Sequence, residues 1–309
     1  VTHDALGGAG AHANKSGNAH FHCKDESECF THVKNLLSYL PANNAQLPPR
    51  TEETANTPPT TGRIEQIIKE RATKAYDMHD IIDEIFDADS FLEVHKEYAL
   101  SIIVGFARLE GRTVGIIANQ PRYLSGVLDI NSSDKSARFV RFCDSFNIPV
   151  ISLVDVPGYM PGTNQEWNGI IRHGAKLLYA IGEATVPKIA LIVRKAYGGA
   201  YIAKSSRTLG FDRVLALPSA EVAVMGPDGA ANIIFRREIA SATDPAAVRS
   251  QKIEEFRNNS MNPFVSAASG MVDDVVAPSE TRHMLIRTLE SLSSKSENRP
   301  ARKHGNIPL

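Results

Sequence analysis

The chain has 309 residues, 42% hydrophobic and 22% charged, enough for one large or two modest globular domains with a substantial core. A net charge of −1 leaves no basic surplus for nucleic acid, and no apolar run approaches the length of a membrane span. Cys23, Cys29 and Cys143 follow neither a metal-ligand spacing nor a disulfide framework, as expected for reduced cytosolic thiols.

No signal peptide opens the chain, and Val1-Thr-His-Asp reads as the middle of a longer protein. Residues 1–22 are rich in Gly, Ala and His with little periodicity; their histidines fit no metal spacing, so a polar surface loop is expected. Asp25 to Tyr39 has the spacing of an amphipathic helix, with Cys29, Val33, Leu36 and Leu37 on one face. Residues 41–62, with Pro48-Pro49 and Pro58-Pro59, have the composition of a linker. The expected division is 1–61, the end of a preceding domain plus this linker, and 62–309, one further domain.

Helices are predicted at Asp77–Phe86, with Ile81, Ile82 and Ile85 inward, and at Ser90–Tyr98, where Ser90 and Glu93 have the spacing of a capping box. Ser101–Leu109 and Arg112–Asn119 flank Glu110-Gly111, a hairpin signal. A helix capped by Ser132 or Ser133 follows, with Phe139, Phe142, Cys143 and Phe146 on one face. Strand 149–155, helix 164–184 and strand 187–193 come next, then strands 213–217, 220–224 and 272–276 with helices near 227–237, 245–259 and 279–295. This alternation predicts an α/β fold with a largely parallel sheet.

Two strand-to-helix turns contain glycine, Val156-Pro-Gly-Tyr-Met-Pro-Gly162 and Tyr197-Gly-Gly-Ala200. Both are expected to open at the carboxyl edge of the sheet. At the second, backbone N–H groups of a first helical turn lack internal partners, and glycine admits a ligand close to them. Such a turn serves as an anion cradle or oxyanion hole, or simply as a tight turn. Side-chain chemistry is sparse: the chain has no nucleophile elbow, phosphate loop or dinucleotide fingerprint. His173 is read as a satisfied helical histidine, Asp155 with Glu166 as a possible carboxylate pair, and Tyr159 and Trp167 as pocket walls or ordinary packing. Backbone donors without side-chain bases suit reactions that pass through an enolate-like oxyanion, with the base supplied by a cofactor.

Several long stretches carry a resemblance: Leu128-Asp-Ile-Asn-Ser-Ser133, Asp155–Glu166, Ile170–Leu178, Arg194-Lys-Ala-Tyr-Gly-Gly-Ala-Tyr201, Ala220–Gly226 and Arg302–Leu309. Together, along the whole chain, they resemble the C-terminal half of the biotin-dependent acyl-CoA carboxyltransferase β-subunit family. The family includes propionyl-CoA carboxylase, the methylmalonyl-CoA transcarboxylase and methylmalonyl-CoA decarboxylases. The resemblance implies a crotonase-like (ClpP/crotonase) spiral of ββα units and an active site shared between the N-domain of one subunit and the C-domain of another. It implies transfer of a carboxyl group between carboxybiotin and a short-chain acyl-CoA: propionyl-CoA or acetyl-CoA to methylmalonyl-CoA or malonyl-CoA. The family's C-domain oxyanion hole maps onto the amides of Gly199 and Ala200. Gly198, Tyr201, Ile202, Val156, Pro157, Gly158, Tyr159 and Gly162 would shape the substrate and biotin pocket. The implied partners are a biotin carboxylase or biotin carrier subunit and further copies of the chain, as hexamers in the family. The implied compartment is the cytoplasm, or the mitochondrial matrix in a eukaryote.

Two positions depart from the family pattern. Ile202 stands where propionyl-specific members carry Asp, suggesting a different or broader acyl preference. Lys204 stands where Met is expected, suggesting a helix more exposed than usual or an altered position. Alternatives are a decarboxylase or transcarboxylase subunit, a non-catalytic module for assembly or biotin-carrier docking, and a crotonase-fold hydrolase or isomerase.

Overall fold

A computed structural model describes residues 1–51, 62–70 and 75–305. Its helices, in chain order, are α1 (His3–Gly7), α2 (Ala9–Asn14), α3 (Glu26–Tyr39), α4 (Gly62–Glu70), α5 (Met78–Ile85), α6 (Ile130–Ser145), α7 (Thr163–Trp167), α8 (Ile170–Glu183), α9 (Gly198–Ser205), α10 (Pro227–Ile234), α11 (Arg236–Ser241), α12 (Pro245–Phe256), α13 (Pro263–Ala268) and α14 (Thr281–Ser291). The strands are β1 (Leu92–Val94), β2 (Ile102–Leu109), β3 (Arg112–Asn119), β4 (Val150–Val156), β5 (Lys188–Tyr197), β6 (Arg213–Ala216), β7 (Glu221–Ala223) and β8 (Asp274–Val275). They form one sheet in the order β1-β2-β3-β4-β5-β6-β8, with β7 paired to β5 beyond β6. β1, β2 and β3 are antiparallel; every later pairing is parallel.

The hairpin forms as predicted. Glu110 and Gly111 both have positive φ, +53° and +73°, and Leu109 pairs with Arg112. A Cβ on Gly111 would lie 2.1 Å from the Thr51 carbonyl oxygen, so the turn also needs glycine for close approach.

The central strands are buried on both faces, which explains their unbroken aliphatic runs. Val150, Val154, Ala190 and Ile192 pack with Val140, Cys143, Leu177 and Ile181 of α6 and α8. Ile151, Leu153, Ile189 and Leu191 face the other way, onto Ile64, Ile81, Ile82, Ile85, Leu285 and Leu289. Each such aliphatic side chain contributes roughly 1.5–3 kcal/mol on burial. Strand alternation thus fixes which turns lie above which helices.

Several predictions are corrected. Ser90–Tyr98 is not a helix: Leu92–Val94 adds an edge strand to β2, with Leu92 opposite Phe106. Ser90 Oγ donates to Asp87 O and accepts from Arg108 N, while Glu93 reaches back to His79 rather than to Ser90. Positive φ at Asp89, His95 and Ala99 breaks any helix there. Residues 1–22 contain two short helices. α3 is present, with Asp25 as its N-cap, but Cys29, Val33 and Leu37 are exposed and Leu36 and Tyr39 face inward. The Tyr39 hydroxyl donates to Ser90 O, and its ring lies 5.9 Å from that of Phe106, so α3 lies against the β1–β2 edge. Asp129, not Ser132 or Ser133, caps α6, in a capping box completed by Ser132. The helix expected over 164–184 is broken into α7 and α8 by Gly169, left-handed at φ +87°. The part of the Pro-rich linker at 52–61 lies outside the described residues. No helix among the described residues is long and apolar enough to cross a membrane.

Candidate active site

Two loops leave the sheet side by side. β4 and β5 are parallel neighbours, and Val156 pairs with Ala196. The loop 157–162 and the turn at 198–200 therefore emerge at the same carboxyl edge, as the pattern predicts.

β5 runs on to Tyr197, past the aliphatic run, because Lys195–Tyr197 pair with Glu221–Ala223 of β7. Gly198 then reverses the chain at φ +59°, and a Cβ there would meet the Val224 carbonyl oxygen at 2.9 Å. α9 starts at this residue, and no side chain caps its first turn. The N–H groups of that turn have no acceptor within the helix. The positive end of the helix dipole adds to them. Gly199 is exposed, and nothing lies within 4 Å of where its Cβ would be. Ala200 is wholly buried, its methyl in the core, which anchors the amide it carries. Rigid donors beside open space can receive an oxyanion without reorganising.

The other loop is held to the start of α6. Leu128 N donates to Gly158 O, Met160 N donates to Leu128 O, and Ile130 N donates to Gln165 Oε1. Gly158 and Gly162, at φ +151° and +122°, have nothing within 4 Å of where a Cβ would stand, so this backbone too is open to a ligand. Val156 is buried at the strand end and Pro157 is half-buried. The Tyr159 ring lies over Gly174, where a Cβ would come within 3.0 Å of its hydroxyl. Burial pushes that hydroxyl up to about 12. Tyr201 is buried in the core and its hydroxyl has no partner among the described residues. Ile202 is 48% exposed, and Trp167 and Ile171 are exposed more fully.

Asp155 and Glu166, read from the sequence as a possible carboxylate pair, are not paired. Asp155 is buried, accepts from Arg194 Nε at 3.0 Å and from Lys195 N at 3.2 Å, and lies beside Tyr76. Glu166 is exposed in α7. Burial raises the Asp155 carboxyl above its ordinary value, against the pull of Arg194. Its role is to tie the ends of β4 and β5 together beneath both loops. His173 is satisfied as expected, its Nδ1 2.6 Å from Asp134 Oδ2.

Two supports were not legible in the sequence. The Tyr197 hydroxyl donates to Glu221, which also pairs with Arg257 Nε at 3.0 Å. This braces the residue before Gly198 from across the sheet, through a partner distant in sequence. The second is Lys204. The helix is not more exposed there: Lys204 is wholly buried, donating to Ser152 Oγ at 2.6 Å, Leu153 O at 3.0 Å and Ile117 O at 3.2 Å. Burial lowers its ammonium well below the usual lysine value. It fastens α9 to β3 and β4.

The carboxyl transferase domain family matches residues 1–307. The chain belongs to this family. It is 52% identical over 309 residues to the propionyl-CoA carboxylase carboxyltransferase subunit of Haloferax mediterranei, covering all of this chain and 60% of that protein. It is 53% identical over 308 residues to the methylmalonyl-CoA carboxyltransferase 12S subunit of Propionibacterium freudenreichii subsp. shermanii, covering all of this chain and 59% of that one. Against the crystal structure of a transcarboxylase 12S protein with methylmalonyl-coenzyme A and methylmalonic acid bound, the TM-score is 0.94 at 52% identity, covering all of this chain and 59% of that one. This carboxyl transferase domain shares the crotonase-like fold of that structure, as the resemblance implies. It spans about 60% of the length of the curated relatives it matches.

Proposed function

We propose that this domain is the biotin-receiving, C-terminal part of an acyl-CoA carboxyltransferase, moving a carboxyl group between carboxybiotin and a short-chain acyl-CoA. What carries the reading is the α9 turn: Gly198 forces it, no side chain caps it, and open space lies before Gly199. The relatives of the whole chain carry names from one reaction class, carboxylase, transcarboxylase and decarboxylase alike. Biotin, when bound on its carrier, supplies an activated carboxyl group. The residues present fit such a group: backbone donors at Gly199 and Ala200, and an open glycine loop at Gly158 and Gly162.

In this reading the amides of Gly199 and Ala200 hold negative charge as it grows on a carbonyl oxygen. Ala200 keeps its amide in place through its buried methyl, and Tyr197, Glu221 and Arg257 hold the strand that delivers the turn. Ile202 forms an apolar wall for the acyl group, and Val156, Pro157 and Tyr159 shape the adjoining pocket. A biotin carrier subunit and further copies of the chain are the proposed partners; the 12S relative is described as a hexamer. In this reading the share of the relatives' length that this chain does not span carries the rest of the site.

The test is methylmalonyl-CoA- and malonyl-CoA-dependent carboxylation of free biotin, by this chain alone and with a matching N-terminal carboxyltransferase domain. Carboxybiotin formed only by the complemented pair supports the proposal. A pair that associates and stays inactive with both thioesters refutes it and favours an assembly or docking module.

A further inference from the structure

A second cavity lies away from both loops. It has a volume of about 420 Å³, within the range of small-molecule sites, and sits between α3, the β1–β2 edge and α6. Val94, Phe106, Phe139 and Phe142 make its floor, with Phe106 centred 5.1 Å from Phe139 and 5.8 Å from Phe142. Leu36 of α3 stands at its side, half-buried.

The charge at this cavity has one sign. Its ionisable lining is Arg138, His20 and His95, with no carboxylate. Arg138 is exposed and has no ion pair among the described residues. The nearby carboxylates are engaged elsewhere: Glu93 with His79 and Glu97 with His22. The His20 and His95 rings lie 4.3 Å apart, and His95 Nε2 is taken up by Gly17 O. Beneath them the buried Lys135 ammonium donates to His95 O, Tyr98 O and Ile102 O, with no acid in contact. Burial and the surrounding positive charge lower His95 to about 4 and burial lowers His20 as well, so the positive field comes chiefly from Arg138, with Lys135 partly offset by Glu93. An apolar floor under an uncompensated guanidinium selects one ligand class: an apolar body with a single negative head.

We propose that this cavity binds a small amphipathic carboxylate, its apolar body against Phe106, Phe139 and Phe142 and its carboxylate at Arg138. The site is independent of the carboxyl-transfer reading and of the α9 turn.

Octanoate is the probe, titrated calorimetrically below its micellar range, with octanol and octylamine beside it. Octanoate is expected to bind saturably and most tightly of the three. Arg138→Gln, on the surface, should weaken octanoate about fivefold, the scale of one exposed ion pair, and leave octanol unchanged. Leu36→Trp should fill the cavity and remove binding of both, with circular dichroism confirming the fold. Excess coenzyme A should not displace octanoate. No saturable binding, octylamine binding as tightly as octanoate, or octanoate binding that neither substitution changes overturns the assignment; displacement by coenzyme A would place octanoate in the acyl site instead and overturns it equally.

Discussion

Replacing Lys204 with Met is expected to stabilise the protein. Lys204 is wholly buried with no carboxylate among its hydrogen-bond partners, which are two strand carbonyls and one hydroxyl. Met matches its length and adds no charge. The substitution leaves little unsatisfied, because Ser152 Oγ keeps Ser205 Oγ at 2.7 Å and the carbonyls belong to paired strands. Exchanging buried ion pairs for apolar groups of similar size is often neutral or stabilising by about 1–4 kcal/mol, and Lys204 has no carboxylate attraction to lose. Set against the lost charged hydrogen bonds, a net gain of about 2 kcal/mol is reasonable, roughly 4 °C in Tm for a domain of this size. Its pH dependence has a definite sign. A lysine with a lowered folded-state pKa binds fewer protons folded than unfolded, so the destabilisation is full below the folded value and fades as pH rises towards the unfolded value near 10.4. Thermal melts of both proteins should therefore differ most at low pH and converge as pH rises towards 10. A Met variant that melts lower, or a gap that widens with pH, would refute the reasoning.

Three other perturbations test the frame of the site. Gly198→Ala should lower stability by about 2 kcal/mol in urea melts, from left-handed backbone strain plus the Val224 contact, whereas Gly199→Ala, with open space, should fall within about 0.5 kcal/mol. Equal effects at the two glycines would contradict the turn geometry. Asp155→Asn should lose about 3 kcal/mol by leaving Arg194 without its buried anion, and a loss under about 1 kcal/mol would show that the pair does not tie β4 to β5. His79 is raised to about 8 by its hydrogen bond to Glu93 and by Asp77, so it favours the fold below about pH 6.5 and that favour is lost through pH 8. His79→Gln should flatten this part of the stability profile, while a falling imidazole pKa by NMR titration would reverse the assignment.

The legible parts of the fold were those whose signal is local. The Glu110-Gly111 hairpin, the aliphatic cores of β4 and β5, and the helix carrying Ile81, Ile82 and Ile85 each declare themselves within a short window. The Gly198 turn was legible for the same reason, since a left-handed reversal has a residue requirement. Errors arose where a distant partner decides. Ser90–Tyr98 has the pattern of a capped helix, yet the edge of β2 and the pull of His79 on Glu93 make Leu92–Val94 a strand. The apolar residues of α3 marked its inward face only in part: Leu36 turns inward as expected, but Cys29, Val33 and Leu37 do not, because Phe106 and its neighbours select Tyr39 beside Leu36. Asp155 could be recognised as a strand-end carboxylate, but its partner Arg194 lies a strand away. Lys204 was legible only as an oddity: nothing local shows that Ser152, Leu153 and Ile117 meet its ammonium.

In the proposed function, backbone amides at the start of α9 bear the reaction's negative charge. Ala200→Pro tests it most directly, because proline removes the amide hydrogen at a first-turn position where a helix tolerates it. In the complemented protein, kcat for biotin carboxylation should fall about 100-fold or more, the loss expected for one oxyanion donor, with the KM for the thioester little changed and the fold intact by circular dichroism. A folded Ala200→Pro variant with kcat within about threefold of the parent, well short of the loss of one donor, would show that the Ala200 amide does not bear that charge.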